Sequence, residues 1–367
     1  MSDREAPLRH AFIGIGAGIF QTHKRALEAS GLRTEIVGCS DVSVEQGRGR
    51  AAEIGCPFFL DHQALLAETK PDVAVILTPH PYHASIAIDC LEAGCHVLVE
   101  KPMAVQVSEA DAMIEAAEKA DRLLAVNFQQ RFRPEVQAAR AMIEEGKLGK
   151  IQHVNLSAIW LRTEAYYCSG TWRATWSGEG GGVLMNQAPH DLDLACHLLG
   201  APSRVFAWNR TLLHNIETED TVQAMVEWPS GAMGSIHVST AELGLQQRFE
   251  IFGTDGIIEI RQGDLVVQKP SADLREFITT NPDKFGRPKM SVVDVELSAG
   301  EGNHAAVYAN FHDAILNETP LIVDGRSSRL GLELANAMIY SSYTQQEVEL
   351  PLDRQAYAHL LADLRGE

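Results

Sequence analysis

Apolar and polar positions alternate in two different ways along this chain, and the change of period marks its organisation. Through the first third, short apolar runs are separated by stretches with helical spacing. Residues 9–14 (RHAFIG) predict a strand, followed by a glycine-rich turn and a helix over about 22–30. TEIVGCS at 34–40 predicts a second strand, and 43–54 a second helix. DVAVILT at 72–78 has the continuous apolar character of a strand buried on both faces, with a helix over about 82–93 after it. HVLVE at 96–100 and LLAVNF at 123–128 predict further strands around a helix at 107–120. Strands alternating with helices imply βαβ units, a parallel sheet and right-handed crossovers.

Near residue 130 the period changes. From about 150 onward, IQHVNLSAIWL, SRVFAWNRTLL, TVQAMVEW, GAMGSIHVST and RFEIFGT alternate with a period of two. That is the pattern of an antiparallel sheet with one covered face. One helix is expected within this region at about 187–199, and another closes the chain at about 329–342. The pattern predicts an α/β chain of two domains. Residues 1–130 form an N-terminal Rossmann domain, a doubly wound parallel sheet. Residues 131–367 form a C-terminal α+β domain with a large, mostly antiparallel open sheet, whose uncovered face suits oligomerisation. Only two evident helices are available to cover that sheet, so its open face predicts a homodimer or homotetramer.

Composition narrows the partners. The 367 residues suit two cores, and 45% hydrophobic with 22% charged residues is ordinary for a globular enzyme. The net charge of −18 and a pI of about 5.2 argue against nucleic acid and anionic membrane, both of which need a basic face. No stretch approaches the ~20 apolar residues of a bilayer span. The opening MSDREAPLRH lacks the apolar segment of a secretion signal. Six cysteines without a CxxC pair are expected as buried, reduced thiols in a cytoplasmic protein.

The first turn carries candidate chemistry. It reads Gly14-Ile15-Gly16-Ala17-Gly18-Ile19-Phe20, leaving an apolar strand and entering a helix. Gly14 permits a tight turn, and Gly16 lets the backbone approach a pyrophosphate seated on the helix N-terminus. The third glycine of GxGxxG would fall at Ile19, so Gly18 is expected to serve in a turn one residue longer. Asp41 ends the second strand where an acid bonds the adenosine ribose, which favours NAD over NADP. Asp41 equally suits the N-cap of the next helix.

Further motifs are more specific. Thr78-Pro79-His80-Pro81-Tyr82-His83 ends one strand and Glu100-Lys101-Pro102 ends the next. GGGVLMNQAPHDLDL at 180–194 opens the isolated helix of the second domain. With HAAVYANFHDAILNETPLIVDG at 304–325 and VELP at 348–351, this set resembles the Gfo/Idh/MocA oxidoreductases over essentially the whole chain. The resemblance implies NAD as cofactor, with NADP possible, and a sugar, glycoside or polyol as substrate. It implies that Thr78, Pro79, His83 and Gln129 touch the cofactor together with Gly14, Gly16, Gly18, Ile19, Phe20 and Asp41. Glu100 would approach the nicotinamide ribose and Lys101 the reacting carbon, with the Lys-Pro bond often cis. The family's usual Asp four residues before the His is Asn186 here, and Asn cannot accept a proton.

Oxidising an alcohol requires a base for the hydroxyl proton and a group that stabilises the developing alkoxide. The imidazole of His190 titrates in the right range to be the base, and Lys101 supplies fixed positive charge at the oxygen. Asn186 lies one helical turn before His190 and would bond a substrate hydroxyl. Tyr167, Trp172 and Arg173, with Lys101, Asn186 and His190, make up the expected substrate contacts. Aromatic faces stack on sugar rings while amides read hydroxyls. The bland alternatives are a solvated strand-end lysine, a bonded core histidine and an aromatic loop packing on itself. His190 with Asp191 or Asp193 has metal-binding residue types, but no second cluster joins it and no metal is expected. Two other activities fit the same motifs: an NAD-dependent glycosidase acting by transient oxidation, and a non-catalytic sugar-responsive regulator.

Overall fold

The structure, a computed structural model, describes residues 6–261 and 263–367. Residues 1–5, on which half of the reading of the N-terminal decapeptide falls, lie outside the described residues. Two compact units emerge. The first comprises residues up to 129 with 177–180 and 302–332; the second comprises 130–176, 181–301 and 333–367.

In the first unit, strands β1 (Leu8–Ile13), β2 (Thr34–Ser40), β3 (Phe58–Phe59), β4 (Val73–Ile76), β5 (His96–Val99) and β6 (Leu124–Val126) form one sheet in the order β3-β2-β1-β4-β5-β6. All pairings are parallel. Helices α1 (Phe20–Ala29), α2 (Val44–Ile54), α3 (His62–Thr69), α4 (His83–Glu92) and α5 (Val107–Ala120) connect them. Every side chain of β4 is fully buried, as its unbroken apolar run requires in a sheet covered on both faces. The strand order reverses between β1 and β4, and ligands of doubly wound sheets bind at the carboxyl ends of strands beside that reversal.

The second unit begins with α6 (Pro134–Glu144), β7 (Ile151–Ile159) and the short helices α7 (Glu164–Tyr167) and α8 (Val183–Asn186). It continues with α9 (Pro189–Leu199), β8 (Arg204–Arg210), β9 (Thr221–Glu227), β10 (Met233–Ser239), β11 (Arg248–Gly253), β12 (Ile257–Arg261), β13 (Asp264–Pro270), α10 (Leu274–Thr280) and β14 (Met290–Val293). After α11 (His304–Asn317) and α12 (Gly325–Thr344), the chain ends with β15 (Val348–Glu349) and α13 (Arg354–Arg365). The sheet runs β14-β13-β12-β11-β7-β10-β9-β8-β15 and is antiparallel except for β7 with β10. Its alternation is clean: Val222, Ala224 and Val226 of β9 are buried, while Gln223 and Met225 face out.

Three expectations need correction. A single cut at 130/131 does not describe the units, because 302–332 pack in the first. Val126 N–H donates to Val323 O at the end of β6, and α11 packs on α1, its buried Tyr308 meeting His23 while its buried His312 meets His10 of β1. The helix expected to close the chain is α12, and α13 follows it with Asp353 as its N-cap. More than two helices accompany the second sheet, since α6 and α8 join α9 against its strands. These short or mixed-polarity segments lack a clear period. Even so, the opposite face keeps Trp208, Met225, Met233 and Val292 exposed.

Candidate active site

The glycine turn after β1 is shaped by sterics. Gly14 sits at φ +87°, and a Cβ there would lie 2.8 Å from Thr78 N. A Cβ on Gly16 would lie 2.7 Å from Asp41 Oδ2. Gly18 meets nothing within 4 Å, so close packing does not require a glycine there. Helix–strand packing is instead made by Phe20, fully buried and edge-on to Phe12 at 5.6 Å between centroids. Burying such a ring contributes roughly 1.5–3 kcal/mol. Ile19 is the N-cap residue of α1.

Asp41 is bound to this turn. Its Oδ2 accepts from Gly16 N–H at 2.5 Å and its Oδ1 from Ser43 N–H at 2.8 Å. The N-cap of α2 is Ser43, whose hydroxyl accepts from Gln46 N–H, so Asp41 does not cap that helix. From α2, the Arg50 guanidinium donates to the carbonyls of Ile15 and Ala17. The turn is thereby held from both sides.

Glu100 and Lys101 follow β5 directly, and the Lys101–Pro102 peptide is cis. Glu100 Oε1 accepts from His23 Nε2 at 2.8 Å and from Asn127 Nδ2 at 2.5 Å, while Oε2 accepts from Lys101 N–H at 3.2 Å. The Tyr308 hydroxyl lies 2.9 Å from His23 Nδ1. A phenol donating to Nδ1 leaves Nε2–H to donate to Glu100, which fixes the tautomer. Burial alone pushes the Glu100 carboxyl up, but the His23 hydrogen bond and neighbouring positive charge outweigh it and hold it well below the usual carboxylate range. Burial lowers His304 to about 4. His23, Glu100 and His304 place ligand-type atoms within 4.8 Å of one another. The direct His23–Glu100 hydrogen bond occupies the space an ion would need, so we read this cluster as an anchored carboxylate.

His83 is wholly buried, with Nδ1 2.9 Å from Pro102 O and Nε2 2.8 Å from Thr78 O. Burial lowers its pKa, so the neutral ring donates to one of these carbonyls. It acts on the ends of β4 and β5 through the main chain instead of presenting a free nitrogen.

The first unit's residues fit a dinucleotide. A crowded glycine cradle opens onto α1, an acid ends β2, and three buried polar atoms at strand ends lack a protein partner: Thr78 Oγ1, Asn127 Oδ1 and Gln129 Oε1. Buried polar atoms ordinarily find partners.

In the second unit, Gly181 and Gly182 are required by their surroundings. A Cβ on Gly182 would lie 1.8 Å from Glu219 O, and Gly181 has φ +155°. The buried Glu219 carboxylate accepts from Gly182 N–H at 2.9 Å and Leu184 N–H at 3.1 Å, fastening the loop to α8. Asn186 and His190 do not share one helix: Asn186 ends α8 and His190 is the second residue of α9. Asp193 forms a bidentate, fully buried pair with Arg131, at 2.8 and 2.5 Å. Asp191 accepts from Trp160 Nε1 at 3.0 Å and Gln247 Nε2 at 2.5 Å. Both acids are thus engaged in protein contacts.

Tyr167 is buried, its hydroxyl 2.7 Å from Thr240 Oγ1 and its ring edge-on to His214. The half-buried aromatic is Tyr166, whose hydroxyl accepts from Gln187 Nε2 and Arg173 NH1, both at 2.9 Å. Arg173 stacks on Tyr166 and Trp172, with its guanidinium carbon 4.4 and 4.6 Å from the ring centroids, and Arg162 lies 5.4 Å over Tyr166. Trp172 and Arg173 therefore belong to one cationic-aromatic cluster. Sequence reasoning missed His23, Asn127, Tyr308, Glu219 and Arg131, each of which acts through a partner remote in sequence, and Arg162, which donates to Gln187 as well as lying over Tyr166.

Comparison with known proteins agrees with this geometry. Residues 8–128 match the oxidoreductase family with an NAD-binding Rossmann fold, and residues 136–259 the GFO/IDH/MocA C-terminal domain. The chain belongs to the Gfo/Idh/MocA family. It is an NAD(P)-dependent oxidoreductase with an NAD-binding Rossmann domain. Among its relatives in this family, the D-glucoside 3-dehydrogenase of Escherichia coli is 30% identical over 61% of this chain and 62% of that enzyme. The myo-inositol 2-dehydrogenase of Thermotoga maritima is 27% identical over 65% and 72%. The WlbA dehydrogenase of Bordetella pertussis, solved with NADH and UDP-GlcNAcA, is 30% identical with a TM-score of 0.82, covering 96% of this chain and all of that one. Among the described residues no helix is long and apolar enough to cross a membrane.

Proposed function

We propose that this chain oxidises or reduces a secondary hydroxyl of a sugar, glycoside or polyol, with NAD as its partner. The observation that carries the reading is the strand-end constellation of the first unit: Asp41 bound to the glycine turn, and Glu100 anchored beside Lys101. When bound, the nicotinamide exchanges a hydride with the carbinol carbon. Asp41 holds the adenosine ribose, and Gly14 and Gly16 leave room for the pyrophosphate. Thr78, Pro79, Gln129 and Glu100 line the nicotinamide side, with His83 fixing the strand ends. The Lys101 ammonium stabilises the alkoxide, His190 takes the hydroxyl proton and Asn186 bonds a hydroxyl. Tyr167 supports the wall on which Trp172 and Arg173 meet the substrate.

The relationship to a D-glucoside 3-dehydrogenase supports the C3 hydroxyl of a pyranoside. A specific observation favours a second reading, an acidic sugar: Arg162 and Arg173 both lie over Tyr166, and guanidinium groups suit carboxylates. Copies of the chain pair through the exposed apolar face of the second sheet, and the chain works in the cytoplasm. A panel of sugars, glycosides, uronates and polyols with NAD and NADP, read at the NADH absorbance, tests the reading. Net NADH supports it. Free aglycone without net NADH identifies a glycosidase instead, and dinucleotide binding with neither product identifies a regulator.

A further inference from the structure

Two thiols lie in contact behind the glycine turn. Cys39 Sγ and Cys56 Sγ are 3.4 Å apart. Cys39 is fully buried in β2, and Cys56 is half-buried in the turn that follows α2. Closing this gap to the ~2.05 Å of a disulfide requires a sulfur movement of little more than 1 Å. Among the other cysteines, Cys90, Cys95 and Cys196 are buried and Cys168 is an exposed thiol on another part of the chain.

The pair sits where the dinucleotide turn is held. One residue beyond Cys39, the Ser40 carbonyl accepts from Gly14 N–H at 2.8 Å, and the next residue is Asp41, bound to Gly16 N–H. Cys56 lies two residues beyond the end of α2, its N–H donating to Ala51 O of that helix, whose Arg50 grips the Ile15 and Ala17 carbonyls. The two sulfurs therefore belong to the two elements that clamp the turn.

We propose that Cys39 and Cys56 form a reversible disulfide that weakens dinucleotide binding, making this pair an oxidation site of the enzyme. The oxidant is a peroxide. Cys56 attacks one peroxide oxygen, the O–O bond breaks, and a sulfenic acid and water result. Cys39 attacks the sulfenic sulfur, forming the S–S bond and releasing a second water. The two thiols lose two electrons and two protons in total, and a dithiol reverses the step by exchange. Attack begins at Cys56, which small oxidants reach and whose thiolate is favoured by the adjoining Cys39 thiol. Hydrogen bonds to β1 hold Cys39 in its strand, so the Cys56 turn moves, drawing the end of α2 and the Arg50 grip with it.

The test uses the full chain carrying Cys168→Ser, treated with hydrogen peroxide and mapped by peptide mass spectrometry. NAD affinity is measured by calorimetry before oxidation, after it, and after dithiothreitol. The expected result is a Cys39–Cys56 cross-link, a rise in the NAD dissociation constant of roughly 2- to 30-fold, and recovery with dithiothreitol. Cys56→Ser should bind NAD normally and ignore peroxide. No cross-link under conditions that oxidise exposed thiols would overturn the proposal. So would a fully cross-linked protein with unchanged NAD affinity. Because the cross-link and NAD binding are read without any substrate, failure here leaves the sugar assignment untouched.

Discussion

Removing the Asp41 carboxylate tests cofactor choice most directly. Among the described residues, its two oxygens accept two hydrogen bonds, from Gly16 and Ser43. A carboxylate has about four acceptor positions, so capacity remains for a ribose diol. A hydrogen bond to a charged group contributes about 1.5–3 kcal/mol, and 1.4 kcal/mol is tenfold, so losing one such bond raises the NAD dissociation constant roughly 10- to 150-fold. Removing the negative charge also removes repulsion of a 2′-phosphate. Asp41→Ala should therefore weaken NAD strongly, leave NADP unchanged or improved, and narrow the ratio between them. The Gly16 and Ser43 amides lose their acceptor in this variant, so loop loosening could mimic part of the effect. Asp41→Asn separates the two: its single amide oxygen still accepts from one of the two loop amides, so it should lose less thermal stability than Asp41→Ala while the ratio still narrows. Calorimetric titration with both dinucleotides, alongside kcat/KM for each, reads the result. A wild-type enzyme that prefers NADP, or variants whose NAD:NADP ratio does not change, would refute the assignment.

Four further outcomes are expected. Lys101→Ala should lower turnover on the order of 10²- to 10³-fold with little change in dinucleotide affinity, since one alkoxide-stabilising donor contributes roughly 2.7–4 kcal/mol; unchanged turnover would exclude Lys101 from the chemistry. His190→Ala should cost roughly 10²- to 10⁴-fold through loss of general-base catalysis, and the double variant should lose less than the product of the two; a near-native pH–rate profile in His190→Ala would assign the base elsewhere. Burial lowers His10 to about 4 and His312, beside it, to about 3, so their unfolded forms bind protons that the folded forms refuse. Stability should be full above pH ~6.5 and fall as pH drops towards 4, by an upper limit on the order of 3 kcal/mol for His10; a melting temperature flat across that window would contradict this. Light scattering at micromolar concentration should report a dimer or tetramer, with a monomer counting against the exposed sheet face as an interface.

Much of the first unit was legible because its signals are local. Consecutive buried strands must be apolar throughout, helices between them must show a 3.6-residue period, and the turn must be glycine where a Cβ would strike Thr78 or Asp41. The motif-bearing residues Asp41, Thr78, Glu100 and Lys101 fall at strand ends for the same reason. The short helices α7 and α8, the return of 302–332 to the first unit and the break between Asn186 and His190 were not legible. No period of their own distinguishes those segments.

The sequence by itself determined the alternation of strands and helices, the dinucleotide turn and the two-sheet organisation, because periodicity and turn chemistry act between residues close along the chain. Only the tertiary structure decided which side chains hold that turn and its neighbours. Glu100 is anchored by His23 and Asn127, and Tyr308 orients His23 from 285 residues away. Asp193 is committed to Arg131, Tyr167 is turned inward to Thr240, and the Cys39 and Cys56 sulfurs are brought into contact. Such pairs follow from packing, where burial obliges each polar group to find whichever partner the fold delivers, and no spacing along the chain encodes that partner.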